Sequence, residues 1–530
     1  MERIGFLSDR PAPLRRHAAW LLVSAAYLFA SPYFEQLNNP NENVRVWATR
    51  AVAVHGVLEI DDVVREWGYV NDKAKNEPHV YSSKAPGVSL LGVPVLVAET
   101  KIDRWLGRPP LGKRAITFWL RLFAVKLPML AFLWAFGRYA ERATGSAFGR
   151  DLCVVALGLG TMLYPYGGLF VGHALAAAAA FGAFMLMDAL PETRPARLPA
   201  RLGAAGLLSG AAVVLEYQVL LVALALGVAA LLWHRRRAIW FFAGTVPPAV
   251  ALGAYHQALF GKPWAFPYAN IENPVFARTA HAAGFHGLSW PQPAAFPAFL
   301  VSPAYGLFAF SPVLLPGLVG AVWMAWRGPS RREGYLVLAI ALSMFLFLAG
   351  MSNWRAGWCV GPRYIAAVVP FLFLPILRLW PAIARRGWAT AGLVGLTTVS
   401  VVLNVVSGAV YPHYPEALRN PVFQLAFPLV GQGYTPYGVG WALGLRGLAA
   451  LLPLAVVVVG ALALVAGGQR VPDWRRRLAH AAAAAGLAAV FLAALGQYAR
   501  TPTPAEAHAQ ATVRSLWEPR AGIPDTHPRL

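Results

Sequence analysis

The sequence predicts an all-α integral membrane protein with about thirteen transmembrane helices and one long loop between the first two. Three observations predict it. Of 530 residues, 57% are hydrophobic and only 13% are charged, about half the charged share of a soluble domain. Apolar runs of about 17 residues or more recur from residue 18 to residue 497, each long enough to cross a hydrocarbon layer ~30 Å thick. Short basic segments separate them, and all fall on one side of the membrane under a single threading, as retention of Lys and Arg in the cytoplasm requires.

In chain order the predicted spans are roughly 18–34, 115–137, 152–169, 172–191, 203–217, 219–233, 238–259, 305–326, 333–350, 364–380, 387–409, 445–467 and 478–497. The basic segments that orient them are 138–150, 194–201, 234–237, 327–332, 378–386 and 475–477. The N-terminus is then inside and the tail outside. The first span follows Arg3, Arg10, Arg15 and Arg16, but Leu28-Phe29-Ala30 is a feeble cleavage site, so it reads as an uncleaved helix. The apolar stretch 87–98 does not cross in this threading: it is short and carries Gly87, Gly92 and Pro94, which suits an interfacial or re-entrant helix. Lys101, Arg104, Arg108, Lys113 and Arg114 then lie outside, within reach of lipid phosphates. The chain divides into a transmembrane module over 1–410 with its first outer loop at 35–114, a C-terminal loop and last two helices over 411–497, and a Pro-, Thr- and Ala-rich tail over 498–530, expected to be poorly ordered.

The net charge of +22 belongs to these short loops and implies no nucleic-acid partner. Cys153 and Cys359 fall on opposite sides of the predicted membrane, which argues against a disulfide. Lys126 and Glu216 lie inside apolar runs, where an ionised group costs at least ~2.5 kcal/mol unless paired or hydrated. A packing pair and a cavity lining both fit them.

Eighty residues between two spans make a long connection, and such loops tend to be functional. Residues 41–57 read as an amphipathic helix along the membrane surface, with Val44, Trp47, Ala48, Ala51 and Val54 as its apolar stripe. Glu42, Arg45 and Thr49 share the opposite side, and Gly56 ends the helix before Glu59, Asp61 and Asp62. By spacing alone, Glu42 and Arg45 are either a solvated surface pair or part of a site, and Asp61 with Asp62 are a polar turn or pocket groups.

The order of motifs adds to this. Asn39-Pro40-Asn41-Glu42-Asn43-Val44-Arg45, then Thr49-Arg50 and Gly56, resembles the Asp-Glu-x-x-Arg segment after the first span of GT-C membrane glycosyltransferases, family 39 above all. That family holds protein O-mannosyltransferases and aminoarabinose transferases acting on lipid A. Tyr81-Ser82-Ser83-Lys84-Ala85-Pro86-Gly87 is similar to its Lys-Pro-Pro motif, and Arg121-Leu122 matches a recurring position. The resemblance covers about the first 130 residues. It implies a GT-C-like fold with interfacial helices in the first loop. Two departures stand out. Asn41 occupies the place of the usual first aspartate, and the turn between the third and fourth spans has His173 but no carboxylate. A divalent metal held by two acidic loops is therefore not supported, since Mg²⁺ and Mn²⁺ favour carboxylate oxygens; no other cofactor is implied. His173 is equally readable as a structural residue at a helix end.

Later segments also resemble family-39-like enzymes: Tyr268-Ala269-Asn270, Gly284-Phe285-His286-Gly287, and the run from Asn353 to Tyr364 containing Trp354, Arg355, Trp358 and Arg363. Aromatic faces cover sugar C–H surfaces and Arg forks bind phosphate, although Trp and Tyr also gather at membrane boundaries. The resemblance implies transfer, with inversion, of a sugar from a polyprenyl phosphate to a glycan, lipid or protein acceptor. Glu42, beside Asn41, is the candidate base, and Arg45, Lys84, Arg355 and Arg363 are the candidate phosphate ligands. Glu59, Asp61, Asp62, Tyr81, His173, Tyr268, His286, Trp354 and Tyr364 are pocket candidates. A transporter or lipid flippase is the other class that fits a polytopic chain, but no repeat relates its halves. The Ala- and Arg-rich, cysteine-poor composition suits a bacterial inner membrane, with the site on the periplasmic face.

Overall fold

The computed structural model describes residues 13–34, 37, 39–188, 195–278, 283–328, 330–436, 438–468, 473–498 and 501–517. Arg3, Arg10, Arg194 and the tail past 517 lie outside these. Among the described residues, seven helical segments are long and apolar enough to cross a membrane, and shorter apolar helices cover His17–Phe29, His173–Met187, Pro312–Arg327 and Val422–Gly431. The chain is a multi-pass membrane protein. One of the seven, Tyr217–Phe260, is in fact two helices, because Arg235 takes a positive φ of 49° between them.

Helix α1 (Pro13–Phe29) stops five residues short of the expected span, and the chain after it runs without regular structure to Phe34. The first loop then builds α2 (Pro40–Arg50), a π-helical turn at Ala51–His55, and α3 (Asp61–Trp67). Pro40 pre-sets the first helical φ of α2, and Gly56, at φ 73°, terminates it as expected. An antiparallel hairpin follows, β1 (Lys73–Asn76) and β2 (His79–Ser82), with Lys73 opposite Ser82. Next comes α4 (Gly87–Trp105), well beyond the apolar stretch that marks its start. Gly87 is required there: a Cβ would stand 2.7 Å from the Val214 carbonyl oxygen.

The second long helix is α5 (Lys113–Leu120) and α6 (Leu127–Thr144), joined through a π-helical turn at Arg121–Lys126. The expected span 152–169 is broken into α7 (Ala147–Leu159) and the short α8 (Leu163–Gly167), because Gly160 and Pro165 weaken its continuation. Helices α9 (His173–Met187), α10 (Leu198–Leu215), α11 (Leu220–His234) and α12 (Ala238–Phe260) follow. Later helices run over Leu315–Arg327, Arg331–Gly350, Val369–Arg378, Gly387–Val410, Leu452–Gly467 and Trp474–Gln497. Small residues let some of them touch backbone to backbone. At Gly206 of α10 a Cβ would fall 1.8 Å from the Phe241 carbonyl oxygen of α12.

Two expectations are corrected. Helix α2 does not float on a surface with one wet side: Val44, Trp47 and Ala48 are buried, and so are Glu42, Arg45 and Thr49 opposite them, while Val54 at the end of the stripe is exposed. The tail, expected to be poorly ordered, is largely helical where it is described past residue 500. Residues Pro504–Arg514 form a helix closed by a Thr503–Glu506 capping box, and Ala509, Val513, Leu516 and Trp517 are buried against the 411–434 segment. Its apolar stripe has a partner, which the composition of the tail concealed. Cys153 and Cys359 are both free and buried.

The close crossing of α10 and α12 yields a direct check. Gly206→Ala should destabilise the protein by about 1–3 kcal/mol through overpacking, read as a lower melting temperature in detergent. Gly203→Ala, whose Cβ meets nothing nearer than 3.8 Å, should leave the melting temperature unchanged.

Candidate functional site

The site starts from the inward polar face of α2. Glu42 accepts hydrogen bonds from Arg121 Nε, Arg121 Nη2 and the backbone N–H of Phe170, each at 2.7 Å. Arg121 Nη1 donates to the Pro32 carbonyl at 2.7 Å. One ion pair thus ties the exit of α1, helix α2, the 121–126 turn and the loop after α8. Glu42 and Arg45, one turn apart, do not pair with each other as a surface couple would. Arg45 Nη2 donates to Glu216 Oε1 at 2.8 Å, and Arg45 Nη1 donates to the Asn41 carbonyl and side-chain oxygen. Burial alone would raise the Glu42 pKa, but Arg121 and the Phe170 N–H outweigh it and hold the carboxyl below its usual value. Removing one partner of such a pair strands a buried charge.

Lys84 follows β2 and pairs with Asp72 Oδ2 at 2.9 Å, a carboxylate placed by the Ser83 hydroxyl on the Asp72 carbonyl. Burial lowers the Lys84 pKa; Asp72 opposes this, while Arg45 and Arg363 add to it. Arg363 Nη2 donates to the Ala356 carbonyl at 2.8 Å, and its buried Nε has no partner. Ala356 and Gly357, at φ 64° and 76°, turn the backbone to make this bond. Lys84, Arg363, Asn41, Tyr364 and His413 line one cavity of about 350 Å³. An adjoining aromatic cavity of about 180 Å³ shares Lys84, Asn353 and Tyr364 and adds Tyr268, Phe285 and His286.

Across a partition made by Leu37, Asn39 and His413 lies a polar chamber of about 170 Å³ walled by Glu42, Arg121 and Lys113. Arg121 and Tyr33 also belong to an apolar groove of about 480 Å³. Leu28, Phe118 and Trp119 in its wall are exposed on the outside of the bundle. His413 Nε2 sits 3.5 Å from Asn39 Nδ2. Burial pushes the His413 pKa down to about 4, helped by Arg121 and Arg363 and opposed by Glu42. The imidazole is neutral at pH 7.

The structure therefore brings Asn41, Lys84, Arg363 and Tyr364 to one cavity and Tyr268 and His286 to the next. Arg45 lies buried behind Asn41. His173 Nδ1 is 3.4 Å from Glu216, its ring lies against Tyr166 and Tyr364, and both ring nitrogens lack hydrogen-bond partners. It lines none of these cavities. Several expected residues are elsewhere. Asp61 holds His79 and the Val80 N–H, Asp62 holds Arg65, and Tyr81 faces Phe260, with Glu59 near it. Arg355 reaches the Leu418 carbonyl from over Tyr305, whose hydroxyl donates to the Trp354 carbonyl. Sequence reasoning missed Asp72 and His413, which carry no pattern, and read Asn39, Arg121 and Glu216 without placing them in the site.

The donor set does not fit a divalent metal. Glu42 is held by Arg121, Asp72 by Lys84 and Glu216 by Arg45, and no group of three or more His, Cys, Asp or Glu side chains converges among the described residues.

No family model matches the chain, and no curated protein matches it. Solved structures resemble it distantly in overall fold. ArnT from Cupriavidus metallidurans in the apo state is 17% identical over 91% of this chain and 77% of that one, at a TM-score of 0.42. The arabinosyltransferase EmbB from Mycobacterium smegmatis is 14% identical over 97% of this chain and 44% of that one, at 0.39. The Archaeoglobus fulgidus oligosaccharyltransferase in the apo form is 12% identical over 98% and 61%, at 0.38.

Two outcomes follow from the buried charges. Arg121→Met should cost about 3–5 kcal/mol by stranding Glu42, and adding Glu42→Gln should recover part of that loss in unfolding measurements. Separately, the unfolded chain binds a proton at His413 between pH 6.5 and about 4 that the folded chain refuses. Stability should therefore fall as pH drops through that window, by at most about 3 kcal/mol. His413→Gln should flatten this part of the melting-temperature profile; an unchanged slope would count against the buried neutral imidazole.

Proposed function

We propose that the protein is a bacterial inner-membrane glycosyltransferase that moves a sugar from polyprenyl phosphate to a membrane-borne acceptor on the extracytoplasmic face. One observation carries this reading: two cations, Lys84 and Arg363, face a cavity holding a single carboxylate, Asp72, beside an aromatic slot, and a groove open to lipid begins beyond the partition. Phosphate matches the Arg363 guanidinium, whose Nη2 donates to a backbone carbonyl. The faces of Tyr268 and Tyr364 suit the sugar and the first isoprene units. The site lies at the helix ends opposite the basic segments 138–150 and 475–477, which supports an extracytoplasmic location under the retention of Lys and Arg inside.

The acceptor hydroxyl oxygen attacks the anomeric carbon from the side opposite the phosphate, so the new glycosidic bond forms as the C1–O bond to phosphate breaks, with inversion. Polyprenyl phosphate departs with the electron pair, its charge met by Lys84 and Arg363. The acceptor proton needs a base. Glu42, the expected candidate, already accepts three short hydrogen bonds. We assign the proton to the neutral imidazole of His413, which lines both chambers and has the Glu42 carboxylate behind it. Arrival of an anionic phosphate in the next cavity raises the proton affinity of His413.

Transfer of radiolabel from a panel of polyprenyl-phosphate sugars by protein in nanodiscs tests the proposal. Wild type should release labelled sugar to extracted lipid acceptors or water, and Lys84→Met or Arg363→Met should lower kcat/KM roughly 100-fold. Well-folded wild type that binds polyprenyl phosphate yet transfers nothing across the panel would overturn the enzyme reading in favour of lipid transport.

A further inference from the structure

The C-terminal helix is docked on the segment that carries His413. Glu506 is 1% exposed and is the hub of the contact. It accepts from Arg419 Nε at 2.8 Å, Arg419 Nη2 at 3.0 Å, the Arg419 N–H at 3.2 Å, Gln424 Nε2 at 2.9 Å and the Thr503 N–H at 2.7 Å. Gln510 adds a bond from its Nε2 to the Gln424 carbonyl at 2.7 Å. An 11-residue helix is marginal on its own in water, so docking is what keeps it folded.

Past the helix, the Trp517 ring packs 4.8 Å from Phe34, 5.9 Å from Tyr411 and 5.8 Å from Tyr434. Phe34 walls the polar chamber, and the Tyr411 ring lies 5.8 Å from His413 in the partition. The same loop is held from the membrane side by Asn420 Nδ2 on the Leu495 carbonyl and by the Cys359 N–H on the Tyr414 carbonyl. The tail is thus the one outer clamp among the described residues that reaches both Phe34 and the residues flanking His413.

We propose that the segment 503–517 is a positioning strap: docked through Glu506 and Trp517, it fixes His413 and Phe34 where the two chambers meet. This rests on the transferase reading for its consequence, though not for its geometry. Glu506 and Trp517 touch neither chamber and act only through the loop they hold. An imidazole displaced by about 1 Å costs on the order of 100-fold in rate, whereas Lys84 is held by Asp72 and Arg363 by the Ala356 carbonyl, so both keep their hold on phosphate.

The experiment compares full-length wild type, Glu506→Gln, Trp517→Ala, Trp517→Phe and a chain ending at residue 500, all in nanodiscs. Hydrogen exchange over 411–420, binding of undecaprenyl phosphate and labelled-sugar transfer are read on each. The expected result is exchange about tenfold faster in the first two substitutions and the shortened chain. Transfer kcat should fall about tenfold or more with donor KM and undecaprenyl phosphate binding within about threefold. Trp517→Phe should restore kcat, and a synthetic 501–517 peptide should restore the shortened chain. Unchanged exchange would overturn the strap outright. Faster exchange with unchanged kcat would overturn its role in positioning. A wild type silent with every donor would defeat the transferase reading instead, and the exchange data would still decide whether the tail holds the loop.

Discussion

The buried pair between Glu42 and Arg121 is the constraint on which the site depends. Two charges taken into a low-dielectric interior survive only when geometry is close and the remaining lone pairs are filled. Both conditions are met by the bidentate contact, the Phe170 N–H and the Pro32 carbonyl. Since these groups come from four stretches of chain, satisfying one carboxylate fixes the exit of α1, the face of α2, the π-helical turn before α6 and the loop after α8. Leu37, Asn39, Asn41 and Arg121, which line the chambers, lie on or beside those pieces.

From that point outward the site is organised by charge count. Arg45 is neutralised by Glu216 and Lys84 by Asp72, both in buried pairs. Arg363 has backbone carbonyl contact but no carboxylate partner among the described residues. A cavity walled this way keeps a net positive character in surroundings where desolvation makes such a surplus expensive. A bound anion is the compensation that fits. The partition of Asn39 and His413 then separates this cationic cavity from a polar chamber whose Arg121 and Tyr33 also line the apolar groove.

Part of this was legible in the residues. Spans, basic loops, the start of α2 and its Gly56 stop follow from hydrophobic run length, charge asymmetry and backbone preference, all of which are local. Lys84, Arg363, Tyr268, His286 and Tyr364 were recognisable because they sit in motifs dense in Gly, aromatic and basic residues. His413 and Asp72 were not, because each stands alone in its segment. Spacing offered Arg45, one turn away, as a surface partner for Glu42, while the carboxylate joins Arg121, 79 positions along the chain.

The sequence by itself determined that this chain crosses a membrane many times, which ends of its helices carry the basic loops, and where its chemistry-bearing loops lie. These properties are set by the solvent preference of successive residues. Only the tertiary structure decided that the polar side of α2 faces inward and that the cations of the first loop and of the 351–363 segment meet. It also decided that the tail folds against the His413 loop. Each of these depends on which distant group satisfies a buried charge, and no local pattern encodes that choice.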